Sequence, residues 1–204
     1  MQSLPIDSYL SEITELALGS KPLILTASPG SGKTTRVPAF LLKSILGKTS
    51  KKIIVVVPKR VSALSAADRI ASENGWTLGK DVGYQVRFEN MTSPTTQLIF
   101  MTEGLFLKRI QSGNFWEQIH TLIIDEFHER STSVDLILGL AFEQKMFGRE
   151  MQLVIMSATL NVNQLQQFLG ESQTLAIEAP PYKLSIFHSE KPQRLICDEA
   201  FFQN

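Results

Sequence analysis

Hydrophobic and polar positions along this chain change period in blocks. Residues 6–18, IDSYLSEITELAL, place Ile6, Leu10, Ile13, Leu16 and Leu18 near helical spacing with acids between them. That spacing predicts an amphipathic helix over one edge of a core, ended by Gly19 and Ser20. A short uncharged apolar run then predicts a strand at 22–27, and a helical pattern runs from about 33 to 46, stopping at Gly47. Residues 53–57, IIVVV, are apolar on both faces, as a central strand of a parallel sheet is. A helix follows to Asn74-Gly75, and 82–87 (VGYQVR) alternates as a strand does. Residues 90–95 read as loop, 96–101 (TQLIFM) as strand, and a helix carries Leu105, Phe106, Leu107 and Ile110. Strands at 120–125, 151–156 and 174–177 alternate with helices at about 133–146 and 161–169. Strands alternating with helices predict an α/β domain built on a mostly parallel, doubly wound sheet flanked by helices.

In such sheets ligands gather at the carboxyl ends of the strands, and every chemically suggestive stretch falls at one. The chain is organised around Leu23 to Phe40, LILTASPGSGKTTRVPAF. Here an apolar strand meets a glycine-containing loop and Lys33-Thr34-Thr35 opens a helix, the context a phosphate-binding loop requires. Gly30 and Gly32 let the backbone wrap closely round an anion, so that N–H groups of Pro29–Thr35 other than the proline converge on phosphate oxygens beside a helix N-terminus. Ser31 belongs to the same cradle. Lys33 reaches toward the β- and γ-phosphates, and the Thr34 hydroxyl is placed to ligate Mg²⁺. Ala27 stands where the strict pattern has its first glycine.

Asp125-Glu126-Phe127-His128 follows the apolar run Leu122-Ile123-Ile124. A carboxylate ending a buried strand, in a chain with a phosphate loop, is the expected second support for the metal. Thr34, Asp125 and Glu126 therefore form the candidate metal set. Glu126 is also the candidate to orient or deprotonate attacking water, and Lys33, Asp125 and His128 complete the catalytic group. The alternative for the acid pair is capping of the next helix. No His/Cys cluster accompanies His128, which reads as a hydrogen-bonding link between the nucleotide site and the rest of the molecule. His120 and His188 are assigned to structure.

Composition narrows the class. A chain of 204 residues fits one domain or little more, and 43% hydrophobic residues suffice for a core. Formal net charge is zero, which argues against a globally basic nucleic-acid binder while leaving room for a local strip. The single Cys197 forms no internal disulfide, no apolar run approaches membrane-spanning length, and a cytoplasmic protein without membrane partners is the expectation.

The motifs together resemble a known family. ASPGSGKTT (27–35), PKR (58–60), TEG (102–104), DEFHER (125–130) and SAT (157–159) stand in the order of motifs I, Ia, Ib, II and III of superfamily 2 helicases of the DEAH/RHA type. With Phe127 for the usual alanine, and GYQVRFEN at 83–90, the chain looks most like the bacterial HrpB-type ATP-dependent helicases. The resemblance implies a RecA-like P-loop domain hydrolysing ATP, or other nucleoside triphosphates, with Mg²⁺, and moving on single-stranded RNA or DNA. It implies that Ser157 and Thr159 link the γ-phosphate to the strand-binding face; on the residues alone a helix N-cap is equally natural. Nucleic-acid contacts would fall to Pro58, Lys59, Arg60, Arg87, Thr102, Glu103 and Gly104, gripping phosphates and sugars rather than reading bases. The alternative for the Lys59, Arg60 and Arg87 cations is a solvated surface. Arg69 matches the position where relatives stack an arginine on the nucleobase.

The expected division is a helix at 1–20, the RecA-like domain at 21–178, and a linker at 179–204 toward a second RecA-like domain that would supply an arginine finger. On that reading the chain is a truncated, monomeric first motor domain that binds nucleotide weakly, hydrolyses it slowly and does not unwind duplexes alone. Two other classes stay open: a nucleotide-gated adaptor with vestigial hydrolysis, and another P-loop NTPase such as a transport ATPase.

Overall fold

The computed structural model describes residues 3–158 and 162–178. Thr159, His188, Cys197, the expected strand at 184–187, the expected helix at 192–202 and the 179–204 linker lie outside the described residues. Eight strands form one sheet: β1 (Leu23–Ala27), β2 (Lys52–Val57), β3 (Val82–Val86), β4 (Glu89–Met91), β5 (Leu98–Thr102), β6 (Ile119–Ile124), β7 (Gln152–Ser157) and β8 (Gln173–Ile177). Six α-helices accompany them: α1 (Leu10–Ala17), α2 (Lys33–Ile45), α3 (Arg60–Asn74), α4 (Glu103–Ile110), α5 (Thr132–Met146) and α6 (Val162–Leu169). The order across the sheet is β4-β3-β5-β2-β6-β7-β1-β8, and every pairing is parallel except β3 with β4. This is the mostly parallel, helix-flanked α/β sheet that the alternation of elements predicted, in the RecA-like form that the family resemblance implied.

The period of two along each strand divides the core into two layers. Ile53, Val55 and Val57 of β2 face one layer with Leu23, Leu25, Leu98 and Phe100, where α1, α2 and α3 pack. Ile54 and Val56 face the other with Ile24, Ile99, Leu122 and Ile155, beneath α4, α5 and α6. All five residues of IIVVV are at most 1% exposed, which explains why that run carries no polar face. Phe127, the departure from the family's alanine, is 1% exposed in the second layer, where its ring fills core volume.

Two readings from the sequence require correction. The 90–95 stretch is not all loop: Glu89–Met91 forms β4, antiparallel to β3 with Tyr84 opposite Met91 and Val86 opposite Glu89. Three polar or exposed residues carry no periodic signal, so only pairing reveals the strand. The hairpin needs Gly83, because a Cβ there would lie 2.1 Å from the Met91 carbonyl oxygen. It turns through Arg87 and Phe88, with Phe88 at φ 67° and 91% exposed under the Arg87 guanidinium, 4.7 Å from the ring centroid. The first helical stretch also divides: Pro5–Tyr9 is a 3₁₀ segment and α1 begins only at Leu10. Pro5 suits the first helical turn, and Asp7 accepts the Leu4 N–H over 2.8 Å.

Candidate nucleotide and strand site

The sheet order gathers residues that are far apart in the chain. β7 lies between β1 and β6, so Ser157-Ala158 stand between the phosphate loop and the DEFH segment. In the loop, Gly30 (φ 77°) and Gly32 (φ 98°) take left-handed conformations that bend the backbone on itself. The N-terminal segment braces it: Ile6 N–H donates to Ser31 C=O over 3.3 Å, and a Cβ at Gly32 would meet Leu4 Cδ1 at 2.6 Å. That bracing was not legible from motif I alone. α2 starts at Lys33, so Lys33, Thr34 and Thr35 are its first turn, and Thr35 Oγ1 donates back to Gly32 C=O over 3.4 Å. Pro29, at the bend before Gly30, needs no donor of its own.

Lys33 is 4% exposed and its Nζ lies 3.6 Å from Glu126 Oε1. Thr34 Oγ1 donates to Asp125 Oδ2 over 2.6 Å. Asp125 is 2% exposed and its N–H donates to Val56 C=O, which fixes it as a continuation of β6 beside β2. Burial pushes its carboxyl up to about 6, against the opposing pull of the Thr34 hydrogen bond. Glu126 donates its N–H to Asp125 Oδ1 over 2.8 Å and sits at φ 52°, a left-handed conformation costing on the order of 1–2 kcal/mol for a non-glycine residue. Such a conformation persists only where the surroundings impose it, here between the Asp125 carboxylate and the buried Lys33, and it keeps Glu126 a candidate functional residue.

His128 extends the cluster. Its Nδ1 lies 3.4 Å from Glu126 Oε2 and 3.4 Å from the Ala158 N–H. One ring nitrogen thus faces both groups: unprotonated it accepts from Ala158, protonated it donates to Glu126. Ser157 is fully buried at the end of β7.

The residues present fit a divalent cation beside a phosphate chain. Thr34 and Asp125 offer the hydroxyl and carboxylate oxygens that Mg²⁺ takes. Asp125 is a buried carboxylate that a cation would neutralise, and in the same loop the Ser31 hydroxyl is buried without a protein partner.

The candidate strand-binding residues line the same sheet end. Pro58-Lys59-Arg60 join β2 to α3; Lys59 Nζ meets Glu129 Oε1 at 2.8 Å, and Arg60 lies 3.4 Å from Glu89. Thr102 ends β5 and occupies the N-cap position of α4 without a side-chain capping bond, Glu103 accepts from the Ser131 hydroxyl over 2.6 Å, and a Cβ at Gly104 would meet nothing within 4 Å. Ser131 in turn caps α5 by accepting the Val134 N–H. Arg87 follows β3 on the β3–β4 turn, and since Gln85 pairs in parallel with Met101 it stands at the same sheet end as Thr102. Arg69, exposed on α3, pairs with Glu73 at 2.9 Å, and Glu73 also holds the largely buried Arg36 of α2 at 3.0 Å. Ser131, Glu73 and Arg36 carry no local signal that distinguishes them from ordinary surface polar residues, and Glu129 entered only as part of DEFHER, with no role of its own.

A RecA-like sheet with a phosphate loop after β1 and an acid pair after β6 defines a P-loop nucleoside-triphosphate motor. Residues 9–168 match the DEAD/DEAH box helicase family, and the chain belongs to it as an ATP-dependent helicase motor domain. Members of that family bind ATP with Mg²⁺, engage nucleic acid and pair this domain with a second RecA-like one. No helix among the described residues is long and apolar enough to cross a membrane.

Proposed function

We infer that this chain is the first motor domain of a DEAH-type helicase with a DEFH variant of motif II, similar to the bacterial HrpB-type enzymes, acting on a single strand of RNA or DNA. The observation that carries the reading is the meeting of Lys33 and Thr34 from the head of α2 with Asp125 and Glu126 from the end of β6. Thr34 and Asp125 would hold Mg²⁺, which when bound neutralises charge on the phosphates. Lys33 would draw charge from the transferred phosphoryl group, and the amides of Gly30 to Thr35 would cradle the chain of phosphates. Glu126, released from Lys33 as phosphate takes its place, would orient the attacking water and accept its proton. His128 would relay the state of Glu126 to Ala158, and Ser157 and Thr159 would carry it toward the strand.

Residues 58–60, 87 and 102–104 would hold the strand by its backbone, with Arg69 against the nucleobase. Residues 1–20 would brace the domain, 179–204 would lead to the second RecA-like domain, and the 204-residue chain alone would turn over slowly as a monomer in the cytoplasm. The test is nucleotide hydrolysis by the protein extended through its second domain, with and without single-stranded RNA or DNA. Strand-stimulated turnover abolished by Glu126→Gln is expected. Nucleotide binding without turnover in any condition would overturn the motor assignment in favour of a gated adaptor.

A further inference from the structure

A cavity of about 670 Å³ opens beside α4, away from the phosphate loop. Lys52, Gln85, Asn90, Arg109, Phe115 and Gln118 are among its lining. No carboxylate is found among the described lining residues, whereas two cations and several neutral hydrogen-bonding side chains are. Its apolar floor comes from the buried side chains Ile99, Met101 and Phe115. A second hollow of about 280 Å³ shares Gln85, Asn90 and Arg109 with it and adds Phe88 and Leu105. The two adjoin at these three shared side chains, as a groove between α4 and the β3–β4 hairpin. Its upper end lies at Leu105, one residue past Gly104, and at Phe88, one past Arg87.

The polar groups in the groove are held in place. Arg109 donates to Gln85 Oε1 over 3.1 Å, and Gln85, 7% exposed, donates to Thr92 Oγ1 over 2.9 Å. Lys52 Nζ donates to the carbonyls of Pro94 and Thr96, which uses two of its three N–H bonds. Burial pushes the Lys52 ammonium below its ordinary pKa, a cost that a neighbouring anion offsets. Glu89, the acid of the shallower hollow, is paired with Arg60 and accepts from the Tyr84 hydroxyl.

We propose that single-stranded nucleic acid crossing Thr102–Gly104 continues into this groove, with backbone phosphate at Arg109 and a base against the Ile99–Met101–Phe115 floor. The proposal rests on the strand-binding reading above and extends its path. Fixed cations beside an apolar, partly aromatic floor are what sequence-independent single-strand channels combine. Neutral amides and hydroxyls along the walls suit sugar and phosphate oxygens without choosing among bases.

Fluorescence anisotropy with labelled oligouridylate and oligothymidylate of roughly 4 to 16 nucleotides tests it. Arg109→Ala removes a phosphate partner, and Gln118→Glu places an anion in the groove with little change of shape. Circular dichroism and melting establish that both fold. Expected is a loss of about tenfold in affinity for the longest strands, little change for the shortest, and a salt slope reduced by about one for Arg109→Ala. If both folded variants bind every length as the parent does while Lys59→Ala and Arg60→Ala weaken binding, the groove is refuted and the strand-binding face stands. If no strand binds the parent chain, both readings fall. Displacement of the longest strand by an oligoglutamate peptide at equal ionic strength would assign the groove to acidic protein instead.

Discussion

Thr34 Oγ1 and Asp125 Oδ2, 91 residues apart in the chain, are joined by a hydrogen bond of 2.6 Å across the head of α2. The bond holds together the hydroxyl and the carboxylate that a hydrated divalent cation would require. Thr34→Val keeps the shape and removes the oxygen. A hydrogen bond to a charged group contributes about 1.5–3 kcal/mol, so Mg²⁺-dependent nucleotide affinity should fall roughly ten- to a hundredfold. Titration calorimetry with and without the metal checks this: metal-free nucleotide binding should change far less, and equal losses in both would count against Thr34 as a ligand.

Protonation of Asp125 sets a pH limit. Its carboxyl is raised by burial from 3.8 to about 6, so in the folded protein protons compete for it below about pH 6. Nucleotide affinity in the presence of Mg²⁺ should therefore weaken as pH falls from 7 toward 5, with proton release on binding near pH 6. An affinity flat across that range would exclude the carboxylate from the metal site.

The same shift makes a stability prediction of definite sign. A folded-state pKa above the unfolded one adds stability fully present below pH 3.8 and lost as pH rises through about 6. At pH 8 without ligand, the buried Asp125 carboxylate therefore costs on the order of 3 kcal/mol. Asp125→Asn should raise the melting temperature at pH 8 by several degrees, and by much less at pH 5, while abolishing metal-dependent binding. A lower melting temperature at pH 8 would contradict the assignment of burial as the dominant cause.

Lys59 and Glu129 tie the PKR segment to the DEFHER segment at 2.8 Å, with the lysine side chain 65% exposed. An exposed pair contributes only about 0.2–1 kcal/mol, so Lys59→Ala should leave the melting temperature within about 4 °C. Its effect belongs to the strand: the salt slope of single-strand binding should fall by about one. An unchanged slope would return Lys59 to a purely structural pairing.

Gly83 provides a test of the hairpin. With the Met91 carbonyl oxygen 2.1 Å from any added Cβ, Gly83→Ala must push β4 away from β3. A loss of about 1–3 kcal/mol is expected, read as a lower melting temperature with faster amide exchange confined to residues 83–91. Wild-type exchange there would show that the two strands are not so closely paired.

The sequence was most legible where a signal is local. IIVVV announces a strand buried on both faces because each residue contacts the core whichever way it points, and Gly-Lys-Thr announces a loop because its conformational needs lie within a few residues. β4 was illegible because Glu89–Met91 has no apolar face and exists only through pairing with Tyr84–Val86. The 3₁₀ start at Pro5–Tyr9 has no signature of its own in the sequence, because a period near 3.6 and one of 3.0 barely diverge over five residues. Arg36 and Glu73 gave no signal either, since an ion pair between two helices is invisible until the helices are placed side by side.

By itself the sequence determined the alternation of elements, the order of the five motifs and their places at strand ends, because periodicity and turn chemistry act over a few neighbouring residues. Tertiary structure alone decided the sheet order that sets β7 between β1 and β6, and hence the contacts Thr34–Asp125, Lys33–Glu126, His128–Ala158 and Lys59–Glu129. It also opened the groove beside α4. Those relations depend on which strands neighbour which, and that follows from burying both sheet faces at once, a condition no local stretch of the chain contains.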